Sequence, residues 1–118
     1  MELWLSVSGE KKKLQGSFKS VMEEIVNIGK GKELKLLSVH APKKELRRLK
    51  RELRKHDKDL YSTAKDIAIW FLTSEYRRAN RCAKYYRKKT DKQSKELYKK
   101  YSEKLKEIES KCETLKAA

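Results

Sequence analysis

The sequence predicts a mainly helical α+β fold, with a small N-terminal β-α-β unit packed against a C-terminal bundle of about three helices. Three observations predict it. Apolar and polar residues alternate in "ELWLSVSG" (2–9), and a second short apolar run, "ELKLLSVHAP", ends at the single proline, Pro42. All four glycines, Gly9, Gly16, Gly29 and Gly31, precede that proline. Beyond it, apolar residues recur every three or four positions, the helical period. A length of 118 residues predicts one domain, with 1–41 as the β-α-β unit and 42–118 as a basic helical module sharing its core. A chain of this size buries roughly two-thirds of its unfolded surface, enough for a core without staples.

In the opening stretch Leu3, Leu5 and Val7 fall on one side, and Glu2, Trp4, Ser6 and Ser8 on the other. Period two closed by Gly9 reads as a strand. Trp4 lies on the polar side, which predicts either a covering helix or an interface there. Leu14, Phe18, Val21, Met22, Ile25 and Ile28 then follow helical spacing, and Gly29 is placed to cap the helix C-terminus. The second strand ends at Pro42. Two strands are marginal alone, so the unit needs a third strand, a partner subunit or a covering helix.

Pro42 suits the first turn of a helix. Leu46, Leu49, Leu53, His56 and Leu60 form one stripe, which continues through Thr63 or Ala64 to Ile67 and Trp70. This period is that of a helix lying along another helix. "IAIWFL" (67–72) is apolar all round and predicts burial on several sides. Ser74 offers an N-cap for a helix over 74–90. Thr90 or Asp91 offers one for the last helix, whose apolar face is Leu97, Tyr101, Leu105, Ile108, Cys112 and Leu115.

Charge is the strongest functional signal. Thirty-two Lys and Arg stand against 17 Asp and Glu, a net of +15. Scarce Asn and Gln resemble a hot-adapted composition, but heat adaptation raises both signs of charge together. A one-sided excess raises the local concentration of polyanions, and nucleic acid releases counterions on meeting it. Residues 1–40 carry only seven basic and five acidic groups, whereas 41–118 carry 25 and 12. The densest stretch, "YRRANRCAKYYRKK" (76–89), holds seven cations and no carboxylate. At about 100° per residue, Arg77, Arg81, Lys84 and Lys88 fall within about 60° of one another, a stripe roughly 16 Å long. Arg78 and Arg87 flank it. Ala79, Cys82, Ala83 and Tyr86 occupy the opposite, packing face. Tyr85 lies beside the cations, where it can stack on an exposed base. A second stripe runs Lys44, Arg47, Arg51, Arg54 and Lys58, opposite the leucines. A third, Lys92, Lys95, Lys99 and Lys106, is diluted by acidic neighbours.

The expected nucleic-acid contacts are therefore Arg47, Arg51, Arg54, Arg77, Arg78, Arg81, Lys84, Arg87 and Lys88, with Tyr85 for base stacking. Arginine's planar fork suits phosphate and guanine alike. Zinc spacing, a helix-turn-helix glycine turn and aromatic RNA-recognition motifs are all missing from the sequence, which points to a phosphate-dominated, weakly sequence-specific binder of DNA or RNA, DNA slightly favoured. The alternatives are a small helical interaction subunit of a nucleoprotein assembly, with the leucines and strand edges serving a homodimer or other subunits, and a basic helix at an anionic membrane surface.

Nothing announces catalysis, a cofactor or a metal. Glycine-rich phosphate loops are lacking. "HDKD" (56–59) sets His56 near Asp57 and Asp59, but consecutive helical residues point apart. "RELRKH", Arg51 to His56, is Arg-x4-His and resembles the catalytic signature of HEPN ribonucleases, helical RNA-cutting domains. The likeness covers six residues. On a straight helix these two side chains stand about 140° apart, and His56 lies on the leucine stripe, so no enzyme is expected. Cys82 and Cys112 are too few for a disulfide framework or a four-cysteine zinc site, and read as small apolar fillers or as one inter-helix pair. The N-terminal charge follows the apolar run, unlike a signal peptide. The longest apolar run has six residues against the roughly 18 that cross a bilayer. A cytoplasmic protein without membrane contact is expected.

Overall fold

In the computed structural model, which describes residues 1–117, the elements run β1 (Glu2–Val7), β2 (Glu10–Gln15), α1 (Phe18–Gly29), β3 (Leu34–His40), α2 (Lys43–Lys55), α3 (Leu60–Arg87) and α4 (Lys92–Ala117). This is the mainly helical α+β layout expected. Packing gathers the chain into two compact units, Met1–Ala68 and Ile69–Ala117, so the division falls inside α3.

The first unit contains one strand more than the alternation announced. Its sheet is antiparallel throughout, in the order β2-β1-β3, with β1 central. The sequence reads Leu14 as the start of a helix, but Leu14 is the one buried residue of β2. That strand, "EKKKLQ", is an edge strand with water on most sides, so it shows no alternation. Its lysines also discourage pairing with a further strand. What makes it a strand is the turn before it. Ser8 and Gly9 both take positive φ (50° and 91°) and close the pair Val7↔Glu10, the two-residue turn whose twist matches a hairpin.

Helix α1 starts where Ser17, in extended conformation, accepts a bond from the Ser20 N–H at 3.2 Å. Its buried face, Phe18, Val21, Met22, Ile25 and Val26, lies against the inner face of the sheet, where Leu3 and Leu5 are fully buried. Each such side chain contributes about 1.5–3 kcal/mol by leaving water. Gly29 is the last helical residue, but the left-handed residue of the turn is Gly31 (φ 69°). Gly29 is required for space: a Cβ there would meet Leu34 Cδ1 at 2.5 Å.

Helix α2 begins after Pro42 and buries Leu49, with Leu46 and Leu53 half-buried. The leucine stripe suggests that it continues to Trp70. Instead it stops at His56. Lys58 N–H bonds the Leu53 carbonyl at 2.7 Å and Asp57 N–H the Arg54 carbonyl at 3.4 Å, with φ of 50° at Asp57 and 65° at Lys58. This is a Schellman-type ending with aspartate where glycine is usual. Asp59 then caps α3, accepting from the N–H groups of Tyr61 (3.1 Å) and Ser62 (3.3 Å). Leu60, Thr63, Ala64, Ile67 and Ala68 are buried on the part of α3 in this unit.

The second unit is an antiparallel helical hairpin. Tyr76 of α3 donates to Glu109 of α4 at 3.0 Å, and further along Tyr86 stacks on Tyr101 with centroids 5.9 Å apart. Ser74 lies within α3 and caps nothing. Asp91 is the cap of α4, accepting from the Ser94 N–H at 3.1 Å. Leu72, Ala79, Ala83, Ile108 and Leu115 are buried. Among the described residues no helix is long and apolar enough to cross a membrane.

Candidate nucleic-acid interface

The cations singled out in the sequence fall into two sets, one per unit. On α2, Arg47, Arg51 and Arg54 are exposed and line one shallow depression together with Lys50 and Lys55. Spacing of three and four residues brings them to one side of the helix, opposite Leu46, Leu49 and Leu53. Lys50 and Lys55 lie one position off the arginine stripe, so helical spacing alone does not join them to it. Lys55 already holds Glu52 at 3.8 Å.

On the part of α3 in the second unit, Arg77, Arg78, Arg81, Lys84, Arg87 and Lys88 are all exposed, Lys88 just past the helix end. The opposite face carries Ala79 and Ala83, both buried, with Cys82 and Tyr86 half-buried. The two-sidedness read from the sequence is thus present in the fold. Tyr85 is 60% exposed and stands at the edge of the basic face, its ring 5.1 Å from the Lys89 ammonium. Lys84, Tyr85, Arg87, Lys88 and Lys89 line one open depression.

Pairing separates these groups from other charges of the molecule. Lys13 meets Glu2, Lys19 meets Glu23 and Lys111 meets Glu107, at 3.1, 3.9 and 3.6 Å. Among the described residues, none of Arg47, Arg51, Arg54, Arg77, Arg78, Arg81, Lys84, Arg87 and Lys88 bridges to a carboxylate. Unpaired guanidinium groups keep all their donors for an incoming anion.

The histidine region is arranged differently from the "HDKD" reading. Asp57 is in the turn and Asp59 is occupied as the α3 cap, so neither is the partner of His56. His56 Nε2 lies 3.2 Å from Oδ2 of Asp66, in the second turn of α3. With Glu52 these make a group whose ligand-type atoms lie within 4.8 Å of one another. Arg51 points to solvent from α2, while His56 ends that helix. The cysteines are both free. The Cys82 side chain beside the Tyr101 phenol pushes that phenol above its usual value. Tyr76 is raised in the same sense by donating to the Glu109 carboxylate.

No protein-family model matches the chain, and no solved structure matches it. It is 49% identical over 126 aligned positions to an uncharacterized protein of Aquifex aeolicus (strain VF5), with 98% of this chain and 99% of that protein covered. The chain belongs to the family of that protein.

Proposed function

We propose that this member of the family binds nucleic acid through the exposed arginines and lysines of α2 and of α3 beyond Tyr76. The contacts are to phosphate and the sequence preference is weak. The observation that carries the reading is the set of nine exposed cations that no carboxylate of the described residues neutralises. A protein that used charge only for solubility would gain from interspersing both signs. Here α2 and the 76–89 stretch each gather one sign on one face. The chain as a whole carries +15. Arginine predominates in both sets, which suits bidentate phosphate contacts. With the reading resting on cations that suit phosphate, the affinity comes chiefly from counterion release.

The test is a titration of labelled duplex DNA, single-stranded DNA and RNA at several salt concentrations. The logarithm of the binding constant is expected to fall linearly with the logarithm of salt. Six phosphate contacts would cost about a thousandfold in affinity between about 50 and 200 mM salt. Absence of binding to all three probes at low salt overturns the reading.

A further inference from the structure

The outer face of the sheet holds a partly exposed aromatic ring. In an antiparallel ladder, directly opposed residues share a face. Trp4 of the central strand stands opposite Lys13 of β2 and Ser38 of β3, and Ser6 opposite Lys11 and Lys35. The other face of β1, Leu3, Leu5 and Val7, is buried. On the outer face Trp4 is 38% exposed, and Lys11, Lys13, Lys35 and Ser38 are exposed around it. Three cations there meet one carboxylate, Glu2, which holds Lys13 at 3.1 Å. Beside Trp4 the β1–β3 register slips, from Trp4↔Ser38 to Leu5↔Leu36, so that Leu37 has no opposite residue. A bulge of this kind turns the strand locally and re-aims its side chains.

A tryptophan at the centre of a lysine-ringed sheet face is a poor choice for solubility and a good one for stacking. We infer that this face is a platform for single-stranded nucleic acid. An unpaired base lies on the Trp4 ring, and Lys11 and Lys35, which no carboxylate of the described residues holds, meet the neighbouring phosphates. The inference rests on the nucleic-acid reading above and adds strandedness to it. Bases within a duplex have both faces covered by their neighbours, so a shallow platform meets only an unstacked base. Lysines act as point charges and leave the base unread, so the platform tolerates any sequence. At present the Lys13 ammonium lies 5.9 Å from the Trp4 centroid. A cation–π contact at an exposed site is weaker than a base–aromatic stack, so an incoming base displaces the ammonium from the ring while it keeps its Glu2 partner.

The test compares the full chain with Trp4→Ala and Trp4→Phe on a single-stranded pyrimidine oligonucleotide and on a duplex of equal length. Trp4→Ala is expected to weaken single-strand binding about tenfold and leave duplex binding unchanged, whereas Trp4→Phe retains most of the affinity. If the wild type binds the single strand and Trp4→Ala binds it equally well, the platform is overturned while the arginine reading stands. If the wild type binds neither probe, both fall. A Trp70→Phe variant leaves Trp4 as the sole tryptophan and gives a readout independent of any truncated side chain. Its emission is expected to be quenched by the oligonucleotide. Unchanged emission with the strand bound overturns the platform.

Discussion

Gly29 shows how one absent methyl group positions two elements. The last residue of α1 is in contact distance of the Leu34 side chain that opens β3, and an added Cβ would have Leu34 Cδ1 at 2.5 Å and Cγ at 3.3 Å. Gly29→Ala gains helix propensity, up to about 1 kcal/mol, but crowds a filled site, which costs about 1–3 kcal/mol. The net expectation is a melting temperature a few degrees lower. Adding Leu34→Ala should make the effect of Gly29→Ala smaller in a double-mutant cycle; equal effects in both backgrounds would show that crowding is not the cause. Asp91 acts through charge. The Ser94 hydroxyl and N–H both donate to its carboxylate and hold it below its usual pKa, with Lys89 helping. A carboxyl lowered in the folded state stabilises it above the unfolded pKa, and that contribution is lost as pH falls through the folded value. The melting temperatures of the wild type and Asp91→Ala should therefore lie furthest apart near neutrality and converge as acidification carries the pH below the usual carboxylate range. A gap that stays constant with pH would show that the cap works without its charge.

At the scale of the element, the basic face of α3 is testable as a stripe. Arg77, Arg81 and Lys84 are exposed and lie opposite the buried Ala79 and Ala83. Their joint replacement by serine spares the packing face and is expected to lower the salt slope of binding by roughly two to three units. An unchanged slope would clear the stripe of contact with phosphate. This face was legible in the sequence because periodicity alone sorts "YRRANRCAKYYRKK" into charged and small residues. The ends of elements were less legible. The leucine stripe ran through residues 56–59 without a glycine or proline to mark a break, because Asp57 and Lys58 supply the left-handed turn that glycine usually supplies. Strand β2 was illegible for another reason: its single buried residue, Leu14, fits equally well the helical spacing of the residues after it.

At the scale of the whole molecule, the repeated helical period beyond Pro42 carried the mainly helical class and composition the direction of the charge, since neither depends on a single element boundary. The surplus of positive charge speeds encounter with any polyanion and makes it salt-dependent. What no sum could reveal is the open face around Trp4, since it depends on which residues of three separated strands become neighbours. The same sheet has a consequence for the order of folding. The helices of the second unit meet across the four residues that separate Arg87 from Lys92, so their contacts are local and form early. The β1–β2 hairpin closes from Ser8 and Gly9 on a timescale of about 1–10 μs, but two strands alone are marginal. Strand β1 gains its other neighbour only when β3 returns after the whole of α1, with Glu2 finally opposite His40. That long closure is expected to be the late event of the unit, which protection of β1 and β3 amides after that of the β1–β2 hairpin in pulsed hydrogen exchange would show. The tryptophan it flanks is thus among the last surfaces the chain completes, and a strand of nucleic acid would find its platform only on a fully folded protein.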